Sequence, residues 1–146
     1  MINIETPKLT VDAAIVDAGK IVLIKRANPP YKGSWALPGG FVNVGETVEA
    51  ACAREAREET SLDVEVVRLV GVYSDPGRDP RGHTVSVAFL CKKKGGKLRG
   101  ADDAKEAKWF SLEDLPTLAF DHGKIVEALR RSLSASPSVV TQAFLI

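Results

Sequence analysis

The order of elements along this chain predicts an α/β fold in which a mixed β-sheet lies between helices, an α/β/α sandwich. Three observations carry that expectation. Strand-length runs rich in β-branched residues recur along the chain, two helical stretches interrupt them, and no internal repeat or linker divides the 146 residues. The length is near the mode for one domain, and 45% hydrophobic residues suffice for one core, so residues 1–146 are expected to form a single domain. Residues 10–16 and 21–25 are β-branched runs separated by Asp17-Ala18-Gly19-Lys20, which predicts a first hairpin. Residues 35–41 read as a short strand broken by Pro38-Gly39-Gly40. From 47 to 60 there is neither Pro nor Gly, Ala recurs, and Thr47 follows Gly45-Glu46 as an N-cap, so this stretch is a helix. Residues 64–73 and 83–91 are longer strands joined by a Pro-, Gly- and Arg-rich segment at 74–82. A further strand spans 105–110, Ser111 caps a turn over 112–115, and Asp121 caps a second helix running to about Leu133.

Charge and composition exclude several classes of protein. A net charge of +1 gives no reason to expect nucleic acid as a partner. The longest cationic run, Lys92-Lys93-Lys94, precedes Gly95-Gly96 and reads as a solvated hairpin tip. No apolar stretch suits a membrane span or a signal peptide, so a soluble, cytoplasmic protein with no membrane partner is expected. Cys52 and Cys91 are too few for a disulfide framework and lack metal-ligand spacing, which makes them small buried residues.

The chemistry concentrates at residues 40–62, GFVNVGETVEAACAREAREETSL. At 3.6 residues per turn Glu55 and Glu59 stack on one helical face, with Glu58 slightly to the side. That face also carries Val48, Ala51 and Cys52, so the carboxylates point along an apolar stripe where an unpaired charge costs several kcal/mol. Ion pairing with Arg54 is one resolution. A divalent cation is another, and oxygen-only ligands favour Mg2+ or Mn2+ over zinc.

The spacing of Gly40, Glu46, Arg54-Glu55-Ala56, Glu58-Glu59 and Leu62 resembles the Nudix box, the loop-helix-loop of a family of pyrophosphohydrolases. Where that pattern has a helix-ending Gly, this chain has Ser61, a departure expected to cost about 1 kcal/mol in turn geometry without touching metal binding. Trp35-Ala36-Leu37-Pro38-Gly39-Gly40 and Trp109-Phe110-x-Leu112-x-x-Leu115-Pro116 resemble other landmarks of the family. Residues 73–83 and Ala119-Phe120-Asp121-His122 are similar to its small ADP-ribose pyrophosphatases, and the latter run also to related transcription regulators. About a dozen residues follow the second helix, too few for a regulator's winged helix.

The resemblance implies a Nudix-type α/β/α sandwich and hydrolysis of a diphosphate linkage, ADP-ribose giving AMP and ribose 5-phosphate. It implies metal ligation by Glu55, Glu58, Glu59 and the carbonyl of Gly39, with Glu46 assisting through water or ordering the loop, and Arg54 orienting the carboxylates. The general base is a box acid, Glu58, or one outside it: Glu106 first, then Asp102 and Asp103, the alternative for Glu106 being a strand-edge surface acid. For substrate, two phosphates ask for guanidiniums, Arg78 and Arg81 with Arg26 behind them; adenine asks for a flat partner, Tyr73 or Trp35, either of which can equally be core. Asp79 holds the loop arginines or begins a turn, and His83 and His122 are read as structural. Other substrates sharing the box, nucleotide sugars or oxidised nucleoside triphosphates, remain open, as does a non-catalytic ADP-ribose sensor. The apolar run Ala143-Phe144-Leu145-Ile146, together with the resemblance, implies a homodimer.

Overall fold

Alternate residues of the first long strand face opposite ways, and each face finds its own helix. In the computed structural model, which describes residues 3–99 and 104–135, strands β1 (Lys8–Asp17) and β2 (Lys20–Arg26) form the expected hairpin. Its two turn residues, Ala18 and Gly19, have φ of 49° and 76°, the left-handed pair that a tight hairpin requires. Short strands β3 (Trp35–Ala36) and β4 (Gly39–Phe41) lead to helix α1 (Val48–Thr60). Strands β5 (Leu62–Tyr73), β6 (Thr84–Gly96) and β7 (Ala104–Ser111) follow, then helix α2 (His122–Ala135). The sheet runs β3-β2-β1-β6-β5, with β4 also paired to β1 and β7 to β2. The β1–β6 pairing is parallel and the other pairings are antiparallel, so the sheet is mixed.

Val11, Ala13 and Ile15 pack with Ala51, Cys52 and Ala56 of α1, whereas Ala14 and Val16 pack with Ile125, Val126 and Leu129 of α2. The period of two along β1 therefore places the helices on opposite faces, the α/β/α sandwich anticipated. Full burial of Ile125 and Leu129 contributes about 1.5–3 kcal/mol each to docking α2. Thr47 caps α1 by accepting the Ala50 N–H at 3.1 Å, and Ser61 ends it with φ 64°, the left-handed position that Gly would occupy more cheaply. Cys52 and Cys91 are both buried.

Three local expectations are corrected. The break expected in the strand over 35–41 falls at Leu37-Pro38 alone; Gly39 and Gly40 lie beyond it in β4, pairing with Asp12 and Val11 of β1. Lys92 and Lys93 do not tip a hairpin: they continue β6 opposite Glu65 and Val64, with acidic side chains on the facing strand. The Asp121 carboxylate does not cap α2, because it is held by Arg78 from 43 residues away. Residues 136–146, including the apolar run at 143–146, and Asp102 and Asp103 lie outside the described residues.

Candidate active site

β4 lies beside β1, and α1 starts seven residues after β4, so the helix is carried back over the face of β1. Between them opens a cleft of about 400 Å³. Its lining includes Glu55 and Glu59, one helical turn apart, with Gly39 and Gly40 against them. Glu59 is buried, and its Oε1 accepts the Gly39 N–H at 3.0 Å. A Cβ on Gly40 would sit 2.6 Å from the Glu55 carboxylate, and one on Gly39 would sit 2.1 Å from the Val11 carbonyl oxygen. Both positions thus need glycine for close approach.

Arg54 binds this acidic group together. Its Nε and Nη2 donate to the two Glu46 oxygens at 2.7 and 2.9 Å, Nη1 donates to Glu55 and Glu58 at 2.8 and 3.2 Å, and Nη2 also reaches the Phe41 carbonyl at 2.9 Å. The fork of one guanidinium suits such a many-sided contact. Arg54 also holds the Glu46 carboxyl at about 2, helped by the Asn43 N–H. Glu46 therefore orders the loop between β4 and α1. Glu55 goes the other way: burial raises its carboxyl above the usual range, Arg54 opposes this, and the neighbouring charges of Glu58 and Glu46 add to it.

A group that holds its charge reluctantly beside like charges is one that a cation would stabilise. Among the described residues no three His, Cys, Asp or Glu side chains are arranged to hold an ion as they stand. The donors offered to the cleft by Glu55 and Glu59 are nevertheless carboxylate oxygens, which fit a hard divalent ion.

The same cleft is also lined by cationic and aromatic side chains. Arg26 donates through Nε to the Pro30 carbonyl at 2.7 Å, and Arg81 grips Asp79 at 3.1 and 2.8 Å. Both guanidiniums lie against the Phe120 ring, 4.9 and 5.6 Å from its centroid, and Tyr31 packs on the same ring at 4.8 Å. Burial would raise the Asp79 carboxyl, but the Arg81 side-chain and backbone bonds bring it below its ordinary value.

The floor is a buried polar network. Ser86 donates to Asp12 Oδ2, and Asp12 Oδ1 lies 3.4 Å from His122 Nε2. His122 Nδ1 accepts the Leu37 N–H at 3.0 Å, which puts the proton of the neutral ring on Nε2. Burial lowers the His122 pKa more than Asp12 and Asp121 raise it, so the ring is neutral. Arg78 is 5% exposed at its side chain, donates to both Asp121 oxygens at 2.9 and 2.7 Å, and reaches Thr84 at 3.1 Å.

Of the residues singled out by the sequence, Gly39, Glu55, Glu59, Arg26, Arg78 and Arg81 line the cleft, and Glu58 is tied to it through Arg54. Arg78 does so as a buried structural ion pair rather than an open fork for phosphate. Three residues stand elsewhere. Glu106 sits on β7 opposite Lys25 and pairs with Lys108 at 3.7 Å. Trp35 packs edge-on against Phe110 at 4.8 Å, and Tyr73 packs into the core beside α2. Asp12, Phe41 and Phe120 line the cleft and carried no role in the sequence reading. Asp12 had a signal available, a lone carboxylate inside an apolar strand.

Residues 6–129 match the family model described as NUDIX domain. A Methanocaldococcus jannaschii protein named ADP-ribose pyrophosphatase is 55% identical over 125 residues, which cover 86% of this chain and 74% of that one. The NUDIX domain of Shewanella oneidensis NrtR, solved with ADP-ribose, superposes with a TM-score of 0.77 at 30% identity, over 90% of this chain and 91% of that one. A Francisella tularensis bifunctional NMN adenylyltransferase/ADP-ribose pyrophosphatase, solved with AMP and a manganese ion, gives 0.78 at 29% identity, over 90% of this chain but 43% of that one.

Proposed function

The chain belongs to the NUDIX domain family, and from that premise we propose that it hydrolyses the diphosphate of ADP-ribose, releasing AMP and ribose 5-phosphate. The observation that carries this reading is one cleft lined both by Glu55 and Glu59 and by Arg26 and Arg81. Diphosphate hydrolysis must bring water to an anionic phosphorus and stabilise charge on the leaving oxygen. Glu55 and Glu59, with Glu58 and the Gly39 carbonyl, would hold a divalent ion, Mg2+ or Mn2+, which would supply charge neutralisation and an acidified water. The chain's own residues do the rest. Arg54 keeps Glu55 and Glu58 oriented, the glycines admit the phosphates close to the backbone, and Arg81, fixed by Asp79, presents a rigid donor to a phosphate oxygen. Glu58, exposed and bonded to Arg54, serves in this reading as the acid that accepts a proton from water.

The same reading takes the assembly to be a homodimer and the compartment to be the cytoplasm. Among the described residues no helix is long and apolar enough to cross a membrane. Solution scattering at micromolar concentration checks the assembly, and a monomeric mass overturns it. The reaction is tested with a panel of nucleoside diphosphate derivatives and triphosphates in Mg2+: ADP-ribose should turn over fastest, and preference for a triphosphate overturns the substrate. Glu59→Gln should reduce turnover roughly a hundredfold with folding intact; normal hydrolysis by that variant removes the ligand assignment.

A further inference from the structure

Leu37 and Pro38, between β3 and β4, belong to no strand, so their backbone groups need partners from elsewhere. The Leu37 N–H is taken by Nδ1 of His122, the first residue of α2, at 3.0 Å, and the Pro38 carbonyl by the Ala13 N–H of β1 at 2.8 Å. The next N–H along the chain, that of Gly39, donates to Glu59 Oε1 at 3.0 Å. Two successive N–H groups thus tie α2 to α1 across the sheet that separates them. We propose that His122 is a positioning residue for the acidic site: by holding the Leu37 N–H it sets the direction of the Gly39 N–H and, through it, of the Glu59 carboxylate. The inference rests on the diphosphate-hydrolase reading above, in which Glu59 and the Gly39 carbonyl would hold the divalent ion.

The link is short and stiff. Only Pro38 separates the two amides; it has no N–H of its own and its ring fixes φ, so a shift of the Leu37 peptide passes to Gly39 with little slack. Gly39 is also seated tightly on β1, paired with Asp12, at a place where a Cβ would stand 2.1 Å from the Val11 carbonyl oxygen. His122 is held in its turn. Its ring is buried, Asp12 Oδ1 lies 3.4 Å from Nε2, and the other Asp12 oxygen accepts from Ser86. With the proton on Nε2 facing Asp12, Nδ1 is left as the acceptor that Leu37 requires. The turn that leads into α2 is anchored as well: the Ala119 N–H donates to the Trp35 carbonyl at 2.8 Å, and Asp121 is bonded to Arg78. Any buried acceptor would satisfy the Leu37 N–H. What gives this one a role is its address, one proline away from the amide that aims a carboxylate into the cleft. In a reacting site a misplacement of about 1 Å can cost on the order of a hundredfold in rate.

The test compares His122→Leu and His122→Phe, which remove the acceptor and differ in bulk so that either one that folds will serve, with His122→Asn, whose Oδ1 can accept from Leu37. A urea midpoint shows that each is folded under the assay conditions. Amide hydrogen exchange followed by NMR reads the segment directly: Leu37 and Gly39 should exchange at least about tenfold faster without the acceptor, beyond any change shared with β1, and return toward wild type in His122→Asn. Calorimetric titration of Mn2+ should show binding about tenfold weaker in the acceptor-free variants and recovery in His122→Asn. With ADP-ribose in saturating Mg2+, kcat should fall about tenfold while KM stays within about threefold. In a Glu59→Gln background the same substitution should cost less than about twofold more in kcat, because the charge it positions is already gone. Unchanged amide exchange, Mn2+ affinity equal to wild type, equal losses in the Asn and acceptor-free variants, or a loss that persists undiminished in the Glu59→Gln background each overturns the proposal, as does wild type that binds no Mn2+ at millimolar concentration. Wild type that binds Mn2+ but leaves ADP-ribose intact would instead strike the substrate, while exchange and Mn2+ affinity still decide the role of His122.

Discussion

Arg78 separates a structural guanidinium from a substrate-binding one. Replacing it by Met keeps the aliphatic stem and removes both bonds to Asp121 and the one to Thr84. Asp121 is 14% exposed at its side chain, so its charge would be left nearly buried without its partner. Breaking a buried pair in this way costs about 3–5 kcal/mol. For a domain of this size each kcal/mol lowers the melting temperature by about 2–4 °C, so a fall of about 6–20 °C is expected. Asp121→Asn retains shape and one acceptor and should lose less, about 1–3 kcal/mol. Because the two side chains share one interaction, the double variant should lose clearly less than the two single losses combined. Urea unfolding followed by circular dichroism measures all three, and ADP-ribose kinetics on the same samples supply the contrast. Arg78→Met should leave KM within about threefold, whereas Arg81→Ala, half-exposed and aimed at the cleft, should raise it about tenfold. Wild-type stability in Arg78→Met together with a raised KM would refute the assignment and return Arg78 to the substrate.

Gly40→Ala should fold and yet lose turnover at least about tenfold, since its Cβ meets the Glu55 carboxylate at 2.6 Å and must displace it; a fully active variant would show that Glu55 has room to retreat. Ser61→Gly should gain up to about 1 kcal/mol in urea unfolding by relieving the left-handed φ of 64°, and an unchanged midpoint would mean that the turn carries no strain. His122 has its pKa lowered by burial, so its contribution to stability is present above its unfolded value near 6.5 and is lost as pH falls through the lower folded value. His122→Asn, whose Oδ1 can accept from Leu37 in place of Nδ1, should flatten stability against pH on the acid side, and an unaltered pH profile would place the acid sensitivity elsewhere.

Local chemistry was legible in the sequence, and non-local pairing was not. The Thr47 cap and the stacking of Glu55 on Glu59 depend on residues within one helix, so spacing alone reveals them, and the resemblance to the Nudix pattern marked Ser61 as the left-handed turn that ends it. Lys92 and Lys93 read as a hairpin tip because nothing nearby shows that β5 begins directly after α1 and needs partners for Val64 and Glu65. Asp121 has the composition of an N-cap, but a guanidinium 43 residues earlier offers its carboxylate two charge-assisted bonds where a cap offers backbone N–H donors. Glu106 was a candidate as an acid outside the box, and the pairing of β7 with β2, which the sequence does not show, places it opposite Lys25. Asp12 escaped notice because its partners, Ser86 and His122, come from 74 residues away and from α2.

The charge distribution around the cleft bears on how an anion enters it at all. Arg78 is matched by Asp121, Arg81 by Asp79 and Arg54 by Glu46. With Arg26 the site holds four guanidiniums, and with Asp12, Glu55, Glu58 and Glu59 it holds seven carboxylates, while His122 is neutral. A doubly charged diphosphate entering such a site meets net repulsion, and the arginines alone do not reverse it. Positive charge must therefore arrive with the substrate. Calorimetric titration of a non-hydrolysable, methylene-bridged analogue of ADP-ribose into the wild-type protein should show affinity at least about tenfold weaker in EDTA than in millimolar Mg2+ or Mn2+. Equal affinity with and without the ion would mean that the guanidiniums hold the diphosphate unaided and that the carboxylates serve the structure of α1 alone.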